Sequence, residues 1–134
     1  MRWPHVMVIG LWLGGVIALA TRASSEQAMS EQPGDAARGK LVFEHRCTGC
    51  HALDADREGP RLRGVYGRKV GSVAGFEYTE SLRHSGWIWN AEMLDRWLTD
   101  PDIVVPGNNM SFATPKAQDR KDLIAFLQQA AESK

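Results

Sequence analysis

The sequence predicts an all-α fold with long connecting loops, on three observations. Leu123, Phe126, Leu127 and Ala130 recur at i, i+3, i+4 and i+7, the spacing of one buried helical face. Met93, Leu94, Trp97 and Leu98 form a second such stripe. Between the helical patterns, Gly59, Gly64, Gly67, Gly71 and Gly75 punctuate one segment too densely for a long helix, and no run reads as a strand of convincing length. At 134 residues the chain suits one domain. Its formal net charge of zero carries no basic excess that would point to nucleic acid.

Residues 1–23 differ from the rest. One arginine, Arg2, precedes an uncharged run from Val6 to Ala20, and Ala18-Leu19-Ala20 fits a small-residue cleavage signal. A membrane-spanning helix needs about 20 apolar residues, so this shorter run reads as a signal peptide for export. The alternative is a retained segment that anchors the domain to a membrane. Residues 24–34 are polar, end at Pro33-Gly34 and read as a linker. The domain proper is 35–134.

Asp35 offers an N-cap to a helix from Ala36 to Arg46. Gly39 lies on the same face as Phe43, and a glycine inside a helix costs about 1 kcal/mol against alanine, so another backbone must approach there. A short helical turn is expected from Glu80 to His84, and an extended piece over Trp87–Trp89. Asn90 caps a helix from Ala91 to Thr99, which Pro101 ends. Asp119 is the expected cap of the last helix, running to about Ala131.

The helix from Ala36 leads into Cys47-Thr48-Gly49-Cys50-His51, which holds the chain's two cysteines. A Cys-x-x-Cys-His run is an attachment site for a c-type haem. Residues three and four apart share a face of a helical turn, so both thiols reach one porphyrin edge while the histidine comes beneath the iron. Zinc would need further ligands at matching spacing, and a thioredoxin-like pair would need a βαβ setting. The reading is one covalent haem c, held by Cys47 and Cys50, with His51 as a metal ligand. A haem also supplies apolar contact that a small domain lacks. For the opposite axial position Met110 is the candidate, because a methionine in the polar loop Pro106–Phe112 has no packing role there. Met93 belongs to an apolar stripe, His45 stands only two residues before Cys47 and close to the wrong side, and His84 lies in a polar stretch.

With these motifs in place, the chain from Gly34 onward resembles the class I cytochromes c. The resemblance rests on the haem motif, Gly59-Pro60-Arg61-Leu62, Gly67-Arg68-Lys69-Val70-Gly71, Gly75-Phe76-Glu77-Tyr78-Thr79, Trp89, Pro106–Phe112 and Arg120–Leu127. It implies the class I cytochrome c fold, with N- and C-terminal helices crossing through Gly39 and Phe43 near Leu123 and Phe126. It implies that the Pro60 carbonyl accepts the second ring N–H of His51. It further implies that Arg68, Tyr78 and Trp89 surround a haem propionate, and that Phe112 lies beside the haem. Three departures stand out. Trp97 takes the place of a tyrosine that bonds the methionine sulfur, and indole can still donate. Leu82 replaces a polar amide, which makes that side drier. Asp102, Ile103 and Asn109 stand where lysines ring the haem edge, leaving Arg46 and Lys116.

The expected function is that of a periplasmic, monomeric, single-electron carrier rather than an enzyme. Its donor would be a quinol-oxidising complex or a dehydrogenase. Its acceptor would be an oxidase, a reductase or a photosynthetic reaction centre. A haem subunit of a larger or membrane-tethered oxidoreductase is the alternative, followed by a peroxidase or gas-binding protein with an open iron position.

Overall fold

The computed structural model describes residues 32–133; the expected signal peptide over 1–23 and most of the linker lie outside the described residues. Among the described residues five helices occur, in the order α1 (Ala36–Arg46), α2 (Glu80–Arg83), α3 (Ala91–Thr99), α4 (Pro101–Val104) and α5 (Ala117–Glu132). No helix among the described residues is long and apolar enough to cross a membrane.

Capping chemistry sets most helix starts. The Asp35 carboxylate accepts the N–H groups of Ala37 and Arg38 at 2.8 and 3.0 Å. Asn90 does the same for Met93 at 2.8 Å. Two boundaries differ from the sequence expectation. Pro101 does not merely end α3; it occupies the first turn of α4, whose N–H groups at Asp102 and Ile103 bond the Asp100 side chain. The last helix begins at Ala117 after Lys116, which makes no side-chain cap, so Asp119 is not the N-cap. Asp119 instead lies in the first turn, where a carboxylate faces the positive end of the helix dipole.

α1 crosses α5 at Gly39. A Cβ built on Gly39 would stand 2.8 Å from Phe126 Cβ and would press on the Asp122 backbone carbonyl. The glycine therefore permits backbone-to-backbone contact. One turn on, the Phe43 and Phe126 rings pack with centroids 5.4 Å apart. Above this crossing, Asp122 is buried and accepts the Asp35 N–H at 2.8 Å, Arg38 Nε at 2.8 Å and Gln118 Nε2 at 2.9 Å.

The core continues through Leu94, Trp97 and Leu98 of α3 to Leu82 of α2 and to Val65 and Val70 in the loops. Those loops are held by a narrow pairing of 67–70 with 87–89. Gly67 N–H bonds the Trp89 carbonyl at 2.7 Å, and Trp89 N–H bonds the Arg68 carbonyl at 2.9 Å. Gly67 adopts φ +83° there, a conformation that suits glycine alone.

Candidate haem site

His51 sits just beyond α1, where Cys50 and His51 N–H groups fold back onto the Cys47 carbonyl at 3.1 and 2.8 Å. This turn puts both cysteines and the histidine on one short arc. Cys47 is half-buried and Cys50 exposed, and neither is in a disulfide. Burial pushes the Cys47 thiol up to about 11, with Arg46 acting in the opposite direction.

The segment 57–60 closes over the arc. Arg57 donates to the Thr48 carbonyl at 2.9 Å, Gly59 N–H to the Cys50 carbonyl at 2.8 Å, and His51 Nδ1 lies 2.8 Å from the Pro60 carbonyl. The expected Pro60 contact is present. With Nδ1–H donated to Pro60, the lone pair of His51 resides on Nε2. Burial lowers the pKa of His51, which favours the neutral ring that can ligate. Gly59 is a site residue whose role the sequence reading missed. A Cβ there would lie 2.6 Å from His51 Nδ1 and 2.7 Å from Nε2, so only glycine lets the loop lie flat on the imidazole.

Met110 departs from the picture of an exposed loop side chain. It is half-buried and packs against the core. Its sulfur accepts a hydrogen bond from Trp97 Nε1–H at 3.1 Å. The Trp97 ring is itself buried and meets Trp89 edge to face, with centroids 5.3 Å apart. The Met110 loop is tied by Asn108, whose part in the site the sequence reading did not assign. Asn108 Oδ1 accepts the Met110 N–H at 2.7 Å, while Nδ2 donates to Asp102 and to the Val105 carbonyl. An asparagine two residues ahead of the methionine was the available signal, since Asx side chains bond backbone two residues on. At the loop exit, Thr114 N–H bonds the Leu98 carbonyl at 2.7 Å, and Arg120 bonds Asp95 and the carbonyls of Thr114 and Pro115.

Arg68 is half-buried and directs its guanidinium to the carbonyls of Arg61 and Arg63 at 3.0 and 3.2 Å. It forms no ion pair among the described residues, and burial lowers its pKa. Tyr78 lies within its electrostatic reach. Burial raises the pKa of the Tyr78 phenol, against the effect of its hydrogen bond with the Val73 backbone. Backbone pairing holds Trp89 beside Arg68. Phe112 is half-buried under the Arg46 guanidinium, 5.4 Å from the ring centroid. Leu82 is buried in the core, as an apolar replacement should be.

These features fit a haem. Two thiols and an imidazole whose Nδ1 is taken by Pro60 share one arc, and the half-buried Arg68 guanidinium forms no ion pair among the described residues. The site and the helical fold together define a protein that carries one covalently attached haem. The cytochrome c family model matches residues 36–131. Cytochrome c of Cochliobolus lunatus is 43% identical over 105 residues, spanning 75% of this chain and 97% of that protein. Cytochrome c of Arabidopsis thaliana is 42% identical over 100 residues, spanning 72% and 89%. Among solved structures, cytochrome cH from Methylobacterium extorquens aligns with a TM-score of 0.69 at 37% identity, covering 72% of this chain and 99% of that one. The chain belongs to the cytochrome c family. It is an electron carrier with one covalently bound haem c, not an enzyme.

Proposed function

We propose that the chain is an exported single-electron carrier whose iron is held by His51 and Met110. The observation that carries this reading is the inward-facing Met110 sulfur, held by Trp97 Nε1–H at 3.1 Å. A bound haem supplies a one-electron couple at this site. Cys47 and Cys50 form its thioethers, and Pro60 orients His51 for ligation. Met110 would supply the second protein ligand to the iron, which would leave no place for substrate. A thioether ligand opposite imidazole raises the potential relative to harder ligand pairs.

Arg68, the Tyr78 hydroxyl and the Trp89 indole supply donors for a propionate, which offsets the cost of burying its charge. Trp97 withdraws electron density from the Met110 sulfur. Phe112, under the Arg46 guanidinium, would lie beside the bound haem. A Met110→Ala holoprotein should lose the sulfur-to-iron charge-transfer band of the ferric state. Retention of the wild-type spectrum would remove Met110 as the ligand.

Residues 1–23 act as an export signal in this reading, and the linker 24–34 precedes the folded domain at 35–134. Periplasmic partners would be a quinol-oxidising complex or dehydrogenase on one side and an oxidase, reductase or reaction centre on the other. Intact mass, taken separately on soluble and membrane fractions, tests this part. A soluble species lacking about 20 residues and carrying one haem is expected. A full-length membrane species would identify a tethered relay instead.

A further inference from the structure

The run from Ile103 to Pro115 contains no Asp, Glu, Lys, Arg or His, in a chain of which 24% is charged. Met110 lies within it. Its solvent-facing residues are Ile103, Pro106, Gly107, Asn109, Ser111, Ala113 and Pro115, all uncharged. Ile103 is 77% exposed, more than any other large apolar side chain among the described residues. A single exposed isoleucine is ordinary by itself. Here, however, the backbone beneath it is fixed. Its N–H bonds Asp100, Val105 N–H bonds the Pro101 carbonyl at 2.9 Å, and Asn108 joins α4 to the Met110 loop.

Of the charges bordering this run, Asp102 and Arg46 are engaged within the chain, while Lys116 at its C-terminal end is exposed and forms no ion pair among the described residues. Asp102 accepts Asn108 Nδ2 at 2.9 Å. Arg46 lies over the Phe112 ring and 4.0 Å from Asp119. An approaching charged surface would therefore lose hydration over 103–113 with only Lys116, at the border, to pair with. An uncharged surface would lose little.

We infer that residues 103–113, centred on Ile103, form the docking face for a redox protein whose own contact face is uncharged and apolar. The inference rests on the reading that Met110 holds the iron, which puts this face beside the redox centre. Interfaces of such encounters are small, below about 1,200 Å². With Lys116 as the one unpaired charge at its border, the encounter is only weakly sensitive to salt, because screening acts only on charges.

A second copy of the chain presents such a face, so electron self-exchange between ferrous and ferric holoprotein is the probe, measured by NMR. The wild-type rate should change less than about twofold between roughly 0.01 and 1 M salt. Ile103→Lys should slow it about fivefold at low salt and recover most of that at high salt. Ile88→Lys adds the same charge at an exposed position on the 69–88 bridge and should stay within about twofold of wild type. Independently of rate, unlabelled ferric protein should broaden the amides of 103–113 in labelled ferrous protein. A steep salt dependence in wild type, equal effects of the two lysines, or broadening elsewhere would overturn the inference while leaving the carrier reading intact. A holoprotein that neither accepts an electron from dithionite nor returns it to ferricyanide would overturn both.

Discussion

The hydrogen bond from Trp97 to Met110 is the residue-scale feature with the clearest functional consequence. A donor on the sulfur weakens its electron donation, which favours the ferrous state. Trp97→Phe keeps an aromatic ring beside Trp89 and removes the N–H together with part of the indole's volume. With a hydrogen bond net of about 1 kcal/mol, the reduction potential should fall by roughly 40 mV, read by spectroelectrochemistry. An unchanged potential would mean that this bond does not tune the iron. His51, Cys47 and Cys50 were legible in the sequence because covalent attachment demands a contiguous five-residue pattern. Gly59 and Asn108 were not, because their roles depend on which side chain the folded loop presses against, and no local spacing encodes that.

At the scale of elements, the α1–α5 crossing holds the domain together, and its tolerance for added volume is small. Gly39→Ala gains helix propensity but drives a Cβ to 2.8 Å from Phe126 Cβ and onto backbone that cannot yield. Overpacking of this kind costs about 1–3 kcal/mol and outweighs the propensity gain, so the urea midpoint of the holoprotein should drop. The crossing was foreseeable from a glycine that helix formation alone does not favour. The polar layer above it was not. Asp122 is held below the usual carboxylate range first by its hydrogen bond with Arg38. A carboxyl with a lowered folded pKa stabilises above its unfolded value of about 3.9 and loses that contribution as pH falls through the folded pKa. Asp122→Asn should therefore destabilise by about 1–2 kcal/mol at neutral pH, and the gap to wild type should close as the solution is acidified below pH 4. Parallel acid-unfolding curves for the two proteins would contradict this. The start of α5 and the turn α4 escaped the sequence reading for a common reason. Asp119 and Pro101 are each compatible with two neighbouring positions at a helix start, and only tertiary contacts choose between them.

For the whole molecule, the helical stripes and the haem motif made the fold legible, because a small domain must bury its periodic faces around the covalent group. The loops carry the rest of the site, bringing Pro60, Arg68, Tyr78 and Met110 toward it from separate stretches of chain. Met110 could be singled out by elimination, yet its inward turn depends on Asn108, Trp97 and the Arg120 clamp acting together. In the proposed account the carrier would hold its iron by His51 and Met110, both supplied from within the chain. Carbon monoxide added to the ferrous holoprotein at neutral pH tests that claim most directly, since it binds iron only where a position is open. The absorption spectrum should remain that of the untreated ferrous protein. Rapid formation of a carbon monoxide complex by the wild-type chain would contradict the account and mark an open, ligand-binding haem.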